Sequence, residues 1–216
     1  MLSRVSLLVF LSAVSGCASY TADYQERLIR SLPNQRDVTI HDSRSYPGKI
    51  LCGSYSRLTS NGFTMHRGRF VVGEDMIIAA PSKEEVQVYC SKDSEQAFYD
   101  ITGIGGPDID WTALSTVRDD MLAIDAAITR YYDAAATLPA PLDKLLSGDY
   151  GVGTANLADP WGNAYHYEGG LSGRTVPQYQ LRSYGADGLE GGSGPDADVS
   201  REQIQMLKHV LRIKGY

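Results

Sequence analysis

The fold is decided by a stretch that begins Asp159-Pro160-Trp161-Gly162-Asn163-Ala164-Tyr165-His166-Tyr167 and ends Ser183-Tyr184-Gly185-Ala186-Asp187-Gly188-Leu189-Glu190-Gly191-Gly192-Ser193-Gly194-Pro195-Asp196-Ala197-Asp198-Val199. The second run consists almost entirely of glycine, small residues and carboxylates. It cannot form a packed helix or strand of its own, because glycine loses much backbone entropy on folding and little apolar surface is available to bury. Two interpretations remain open: an acidic loop without fixed structure, or a loop folded around a hard cation. Calcium suits the second, since it accepts carboxylate and backbone carbonyl oxygens in a flexible shell.

Taken together, the two runs resemble the C-terminal globular domain of the major pseudopilin of type II secretion systems, the protein G family. The similarity extends from about residue 116 to residue 199, a little under half of the chain, and keeps both motifs in the same order. It implies a helix packed on an antiparallel sheet, with calcium bound in the glycine-rich loop. The implied ligands are the carboxylates of Asp187, Asp198 and Asp196, with backbone carbonyls near Tyr184 and Ser193.

The EF-hand pattern fits this loop poorly. No chelating side chain stands two residues after Asp187, and no Glu stands at the twelfth position. Asp159 is read differently from the loop carboxylates, because the following Pro160 favours extended geometry and an Asp side chain there can hydrogen-bond the next turn. We therefore predict a structural role for Asp159 and not a metal-binding one.

The first residues read as a lipoprotein signal peptide, residues 1–16. Arg4 supplies a minimal basic region, and the apolar run Val5-Ser6-Leu7-Leu8-Val9-Phe10-Leu11 is too short to span a bilayer as a permanent helix. The following Val14-Ser15-Gly16-Cys17 resembles the lipobox of bacterial lipoproteins, which implies acylation of Cys17; an ordinary secretory signal is the alternative. Several acyl chains hold a protein firmly on a membrane, whereas one holds it only marginally. Ala18 after the cysteine implies, by the same resemblance, an outer-membrane location facing the periplasm.

Two further cysteines, Cys52 and Cys90, remain when Cys17 carries lipid. An even pair in an oxidising compartment favours a disulfide over two buried free thiols. Such a bridge would close a loop of almost forty residues, for which the chain-entropy model gives about 4 kcal/mol. No second cysteine or histidine stands at metal-ligand spacing from either one.

Composition changes along the chain and predicts the domain organisation. Residues 17–46 are polar and mixed, which favours a tether with at most a short helix near residues 23–32. Residues 47–105 contain short β-rich runs separated by turn residues, and they predict a small antiparallel sheet stapled by the disulfide. The run Val86-Gln87-Val88-Tyr89-Cys90 is counted among its strands. The glycine-rich run Gly103-Ile104-Gly105-Gly106-Pro107 reads as the linker, since it lacks the Lys-Ser/Thr of a phosphate loop.

Residues 110–216 then form the pseudopilin-like calcium-binding domain. Helical spacing of apolar residues begins near Thr116 and Asp119, which look like a capping box, and continues to about residue 132. Strands are predicted around residues 165–167 and 178–182. A terminal amphipathic helix follows, capped by Ser200 and Gln203, with its apolar face packed on the body. The fold class is therefore α+β: a small disulfide-stapled antiparallel β domain, followed by a pseudopilin-like helix-plus-antiparallel-sheet domain with a calcium loop.

No catalytic constellation is found, so we do not expect an enzyme. The four histidines form no zinc pattern, Gly-x-Ser-x-Gly is absent, and the adjacent carboxylates Asp119 and Asp120 are assigned to a solvated helix face. A net charge of -6 over 216 residues, with mixed signs, predicts no basic patch for nucleic acid or for anionic lipid. The favoured function is a lipid-anchored envelope protein that serves protein secretion as a structural or accessory component, with secretion-system proteins as partners. The alternatives are a stand-alone envelope binding module, or a calcium-supported glycan hydrolase that uses Trp161 and the tyrosines as a sugar platform.

Overall fold

In the computed structural model, which describes residues 18–33, 37–59, 62–170 and 178–216, helices and antiparallel sheets form two units. One unit comprises the described residues up to Ser45 together with Lys49–Ala80, and the other comprises Tyr46–Gly48 and Pro81–Tyr216. The division after Ala80 lies upstream of the glycine-rich run at residues 103–107, which the sequence indicated as the linker. The α+β class with antiparallel sheets is confirmed.

The first unit is a helix packed on a four-stranded sheet. Helix α1 spans Ala18–Ser31, and the strands, in spatial order β1-β2-β3-β4, are Thr39–Tyr46, Ile50–Leu58, Met65–Val72 and Ile77–Ile78. The segment for which the sequence suggested a tether is thus a helix followed by a strand. The physical reason is the spacing of Tyr24, Leu28 and Leu32, which places two large apolar side chains on one side of the helix and a third directly after its last residue.

This apolar side of α1 closes the core of the first unit. The buried core consists of these three apolar residues, from α1 and the residue after it, and of four sheet residues, which are Leu51, Tyr55, Phe70 and Val72. Strands β2 and β3 pair antiparallel along eight residue pairs, from Leu51 opposite Val72 to Leu58 opposite Met65. The outer end of this hairpin extends beyond the buried core, and its exposed side chains are considered further below.

The second unit begins with two helices that precede the predicted linker. Helix α2 is Lys83–Tyr89 and helix α3 is Ser94–Thr102. The prediction of a strand at residues 86–90 was wrong, because Ser82 and Glu85 form a reciprocal capping box that starts a helix there. This capping pattern outweighs the β propensity of Val86 and Val88.

The predicted disulfide joins Cys52 of β2 to Cys90, the residue that caps the C-terminal end of α2. It therefore does not connect two strands, as the sequence interpretation assumed, but a strand and a helix end. The Cys52–Cys90 pairing is confirmed, and its expected placement between two strands is corrected.

Replacing either cysteine with serine is expected to lower the free energy of unfolding by about 2–4 kcal/mol, because the open chain regains conformations that the closed loop forbids. Cys52→Ser and Cys90→Ser should have similar effects, since each removes the same bond. Chemical denaturation of both variants measures the loss. Alkylation of both thiols in the unreduced, denatured wild-type chain would contradict the prediction.

The rest of the second unit is a long helix with a small sheet and a terminal helix. Helix α4 spans Trp111–Ala135, and the strands, in spatial order β5-β6-β7, are His166–Gly169, Tyr179–Ser183 and Val199–Ser200. Helix α5 spans Ile204–Lys214 and buries the predicted apolar face. The capping box of Ser200 and Gln203 is present in the 3-10 turn that leads into α5.

Helix α4 starts earlier than its apolar spacing suggested. Asp110 caps it, because its Oδ1 accepts hydrogen bonds from the backbone N–H groups of Thr112 and Ala113, at 2.9 and 3.0 Å. The capping box predicted at Thr116 and Asp119 was wrong, and both residues lie inside the helix. No helix among the described residues is long and apolar enough to cross a bilayer.

Candidate metal centre

The Asp159 side chain organises the turn at the start of the deciding stretch. Its carboxylate is buried at 5% exposure, and its Oδ1 accepts hydrogen bonds from the backbone N–H groups of Trp161 and Asn163, at 3.2 and 2.8 Å. Two backbone bonds close the same turn, from Asp159 N–H to the Asn163 carbonyl and from Gly162 N–H to the Asp159 carbonyl. Asp159 is therefore positioned inside the turn, as expected for a structural carboxylate.

The second oxygen of Asp159 connects this turn to strand β6. Oδ2 accepts a 2.8 Å hydrogen bond from the hydroxyl of Ser183, which is fully buried and in turn accepts from the Gly185 N–H at 3.3 Å. One carboxylate thus holds the first run of the stretch against the beginning of the second.

Asn163 makes a further connection, directly to the glycine-rich loop. Its Nδ2 donates to the Gly185 carbonyl at 3.0 Å. Gly188 lies so close that a Cβ on it would come within 2.8 Å of the Asn163 Oδ1, and its φ is +69°. A side chain at residue 188 would displace this contact, so glycine is required there for packing as well as for backbone conformation.

The loop backbone folds around the main chain of Asp196. A Cβ on Gly185 would lie 2.8 Å from the Asp196 carbonyl oxygen, and a Cβ on Gly192 would lie 2.4 Å from it. Both glycines have positive φ. The absence of side chains at these two positions lets the loop backbone pack closely against a main-chain carbonyl, and backbone carbonyl oxygens are a ligand type that calcium accepts.

Two backbone hydrogen bonds keep the loop closed. The Ala186 N–H donates to the Pro195 carbonyl at 2.9 Å and joins the two sides of the loop. The Gly194 N–H donates to the Gly103 carbonyl at 2.8 Å, at the C-terminal cap of α3. Gly103 was assigned to a linker, but its carbonyl also supports the candidate metal loop.

Two of the loop carboxylates accept hydrogen bonds from backbone N–H groups of the loop itself. Asp187 Oδ1 accepts from the Leu189 N–H, and Asp198 Oδ1 accepts from the Gly191 N–H, each at 3.0 Å. Burial raises the pKa of Asp198, and the negative charges of Glu190 and Asp187 raise it further, while the Gly191 N–H and Arg182 act in the opposite direction. The ionised Asp198 therefore lies in a position where a cation would be favourable.

Arg182 is a resident cation beside the loop that sequence reasoning missed. It lies on β6, and its Nη1 is 3.5 Å from the Glu190 carboxylate. The same guanidinium lowers the pKa of Asp198. Its position follows from the alternation of β6, which buries Leu181 and Ser183 and turns Arg182 to the other face.

The predicted ligands are brought together only in part. Asp187 and Asp198 interact electrostatically, and Asp196 contributes a main-chain carbonyl enclosed by glycine. Ser193 accepts a 3.3 Å bond from the Asp196 N–H within a 3-10 turn, and Tyr184 stacks on His166 with ring centroids 5.2 Å apart. Across the described part of the chain, no three His, Cys, Asp or Glu side chains converge as a metal cluster. An ion held here would therefore need backbone oxygens, which the donor set provides and calcium accepts.

A second group of polar residues, on helix α4, was not predicted from the sequence, which indicated a solvated face at Asp120. Asp120 is buried at 8% exposure and its Oδ2 accepts from the Tyr165 hydroxyl at 3.3 Å, so its assignment to a solvated face was wrong. One turn further along, Asp125 Oδ1 accepts from both the Tyr179 hydroxyl and Arg201 Nε. These bonds attach α4 to the sheet and to the chain entering α5.

An apolar cleft of about 550 Å³ lies beside β5. Its lining includes Pro141, Leu142, Tyr165, Tyr167 and Glu168. Burial raises the pKa of the Tyr167 hydroxyl to about 12. Of the aromatic residues that the glycan hypothesis names as a sugar platform, Tyr165 and Tyr167 line this cleft and Trp161 does not. The hypothesis stays a prediction.

Comparison with known proteins places the C-terminal half in a family context. Residues 114–202 match the family described as Type II secretion system (T2SS), protein G. A segment of 41 residues is 54% identical to the Type II secretion system core protein G of Pseudomonas aeruginosa. That segment makes up 19% of this chain and 27% of the relative, so the match spans about a quarter of that protein's length. The C-terminal part of the chain is a pseudopilin-like domain, as its motifs indicated.

Proposed function

We propose that this chain is a structural component of a type II secretion system, in which a calcium-stabilised pseudopilin-like domain is carried by a lipid anchor in the cell envelope. The observation that carries the proposal is the coincidence of the family match at residues 114–202 with a glycine-rich loop in which Asp187 lies close enough to Asp198 to raise its pKa. The relative that resembles this segment is named a core protein of that system. The role is non-enzymatic and consists in presenting a folded surface to other secretion proteins.

Calcium would be held by the carboxylates of Asp187 and Asp198 with main-chain oxygens of the loop, including that of Asp196. When bound, it supplies positive charge to a segment with too little apolar surface to fold by burial, and its binding free energy adds to folding. The residues fit this role, since the glycines at positions 185 and 192 let the loop fold closely around a main-chain carbonyl and Asp198 stands among other negative charges.

The proposed anchor is Cys17, which lies outside the described residues. The support is the sequence run Val14-Ser15-Gly16-Cys17 behind a short apolar segment. Acylation there would hold the protein on a membrane, and Ala18 directs the proposal to the outer membrane on its periplasmic side. The disulfide between Cys52 and Cys90 is compatible with an oxidising envelope compartment.

The Cys17→Ala variant is expected to lose membrane retention and to accumulate as an unprocessed precursor, because no thiol remains to accept lipid. Mass spectrometry of the N-terminal peptide in wild type and variant measures whether the chain is processed and whether its first residue is acylated. An unmodified wild-type peptide that starts beyond Cys17 would show that lipidation does not occur.

Partner capture tests the secretion role. The full chain is used to isolate proteins from detergent-solubilised envelopes in the presence of calcium, and again with chelator. We expect type II secretion components with calcium and their loss with chelator or with Asp198→Asn, whereas Glu190→Gln serves as the matched control and should retain them. Recovery of no secretion component under calcium-replete conditions would refute the proposed role and favour a stand-alone envelope module.

A further inference from the structure

The outer end of the β2–β3 hairpin carries large apolar side chains in solvent. Phe63 is 93% exposed at the turn, and Met65, the first residue of β3, is 54% exposed. The core of the first unit lies at the other end of the hairpin, around Phe70 and Val72. Two exposed apolar side chains two residues apart in sequence, at the protruding end of a hairpin, require an explanation other than folding.

The same end of the hairpin is cationic. Residues 57–69 contain three arginines and one histidine and no Asp or Glu. Arg67 and Arg69 are exposed and follow Met65 at a spacing of two, so these three side chains share one face of β3. An acidic residue from β1, Asp42, borders the cleft of about 410 Å³ that Arg67 also lines.

This local excess of positive charge is hidden by the net charge of the whole chain, from which no basic patch for anionic lipid was predicted. Residues 81–216 contain twenty Asp or Glu and eleven Lys or Arg. Residues 18–80 contain only six Asp or Glu but eight Lys or Arg. The exposed hairpin end thus combines an aromatic tip with an arginine row in a protein of net charge -6. That combination is complementary to a surface that is apolar just below a layer of negative charge.

We propose that the end of the β2–β3 hairpin inserts into the interface of an anionic lipid membrane. Phe63 and Met65 enter the boundary between headgroups and acyl chains, and Arg67 and Arg69 contact the lipid phosphates. A lipid surface fits better than an acidic protein partner, because the end of one hairpin offers little of the roughly 1,200–2,000 Å² that a stable protein interface buries. Insertion of an aromatic side chain supported by arginines needs no such area. This contact is independent of the proposed acylation of Cys17 and of the calcium loop.

The test places a fluorescent reporter at the tip of the full-length chain. The Phe63→Trp variant is mixed with vesicles of brominated phosphatidylcholine, either pure or containing phosphatidylglycerol. The signal of the native tryptophans is measured in a wild-type sample and subtracted from that of the variant. We expect bromine quenching of the tip only with phosphatidylglycerol present. Because the readout reports depth at residue 63, attachment through Cys17 does not produce it.

Two matched controls separate insertion from general attraction. Leu189→Trp places the same reporter at another exposed apolar position, 67% exposed, in the acidic loop, and should remain unquenched. Arg67→Gln with Arg69→Gln in the Phe63→Trp background should raise the anionic lipid needed for half-maximal quenching by about 20- to 30-fold. Lys83→Gln with Lys92→Gln removes the same charge from exposed sites outside the hairpin and should change it little.

Three results would overturn the proposal. The first is equal quenching at residues 63 and 189, and the second is equal quenching with and without phosphatidylglycerol. The third is an absence of quenching combined with salt-sensitive self-association that the two arginine substitutions abolish. The third result would assign the hairpin to an acidic protein surface, such as a second copy of this chain.

Discussion

Replacing Asp159 with alanine is expected to lower the free energy of unfolding by about 4–6 kcal/mol. The reason is that its carboxylate accepts from three donors, the N–H groups of Trp161 and Asn163 and the hydroxyl of Ser183. Hydrogen bonds to a charged acceptor contribute about 1.5–3 kcal/mol each, and a buried donor left without a partner adds its desolvation cost. The loss should exceed that of any change to an exposed carboxylate.

Chemical denaturation of the purified variant measures this loss, and Asp143→Ala is its control because Asp143 is exposed in a nearby 3-10 helix. Ser183→Ala should give a smaller decrease, since it removes one of the three bonds and leaves the turn itself intact. If Asp159→Ala and Asp143→Ala destabilise the protein equally, Asp159 does not hold the turn and the structural reading of that carboxylate is wrong.

The second large effect concerns the loop carboxylates. Asp187→Asn and Asp198→Asn are each expected to abolish the stabilisation that calcium gives, because a lost carboxylate lowers the charge of the site and leaves an incomplete shell. For the wild-type chain, calcium at about one hundred times its dissociation constant should add about 2.7 kcal/mol to the free energy of unfolding. Titration calorimetry and melting with and without chelator measure both quantities.

Glu190→Gln is the internal control for these two variants. Glu190 is exposed and lies 3.5 Å from Arg182, so its charge is already partly balanced within the protein. An exposed carboxylate outside the ion's shell contributes only screened attraction, and this variant should keep most of the stabilisation. If Glu190→Gln is as damaging as the aspartate changes, the ligand assignment is wrong even though the loop binds calcium. An unchanged melting temperature of the wild type at millimolar calcium would refute the site altogether.

The sequence predicted those elements whose local signals and long-range packing agree. The terminal helix is one case, because the capping box of Ser200 and Gln203 and the apolar spacing after it lead to the same structure. The strands around Tyr167 and Tyr179 are another. The loop motif, together with the Asp-Pro-Trp-Gly-Asn turn, indicated the pseudopilin-like domain from the sequence alone.

The errors occurred where two local signals compete. Val86 and Val88 favour a strand, but Ser82 and Glu85 satisfy the exposed N–H groups of a helix start, and the helix forms. Tyr24, Leu28 and Leu32 were overlooked because polar residues surround them, although their spacing of four was readable. Asp120 could not be identified from spacing alone, since its burial depends on the position of Tyr165, forty-five residues away.

The sequence suggested ligands for the candidate site, which stay a prediction, but it did not indicate the contacts that support the loop. Three features of that support depend on the folded chain: the Asn163 bond to the Gly185 carbonyl, the Gly103 contact with Gly194, and the position of Arg182 beside Glu190. The first two join residues that are distant in sequence, and the third joins a strand to the loop. The motif that contains Asn163 was visible, however, and an amide side chain inside a tight turn was the available signal.

The bond from Asn163 to the Gly185 carbonyl has a consequence for hydrogen exchange. It ties the turn around Asp159 to the loop, so local opening of either segment breaks contacts in the other. Segments that open together exchange their amide protons with a common free energy. A cation bound at Asp198 should therefore slow exchange at the amides of Trp161 and Asn163, and amide protection in that turn would report occupancy of a loop more than twenty residues away.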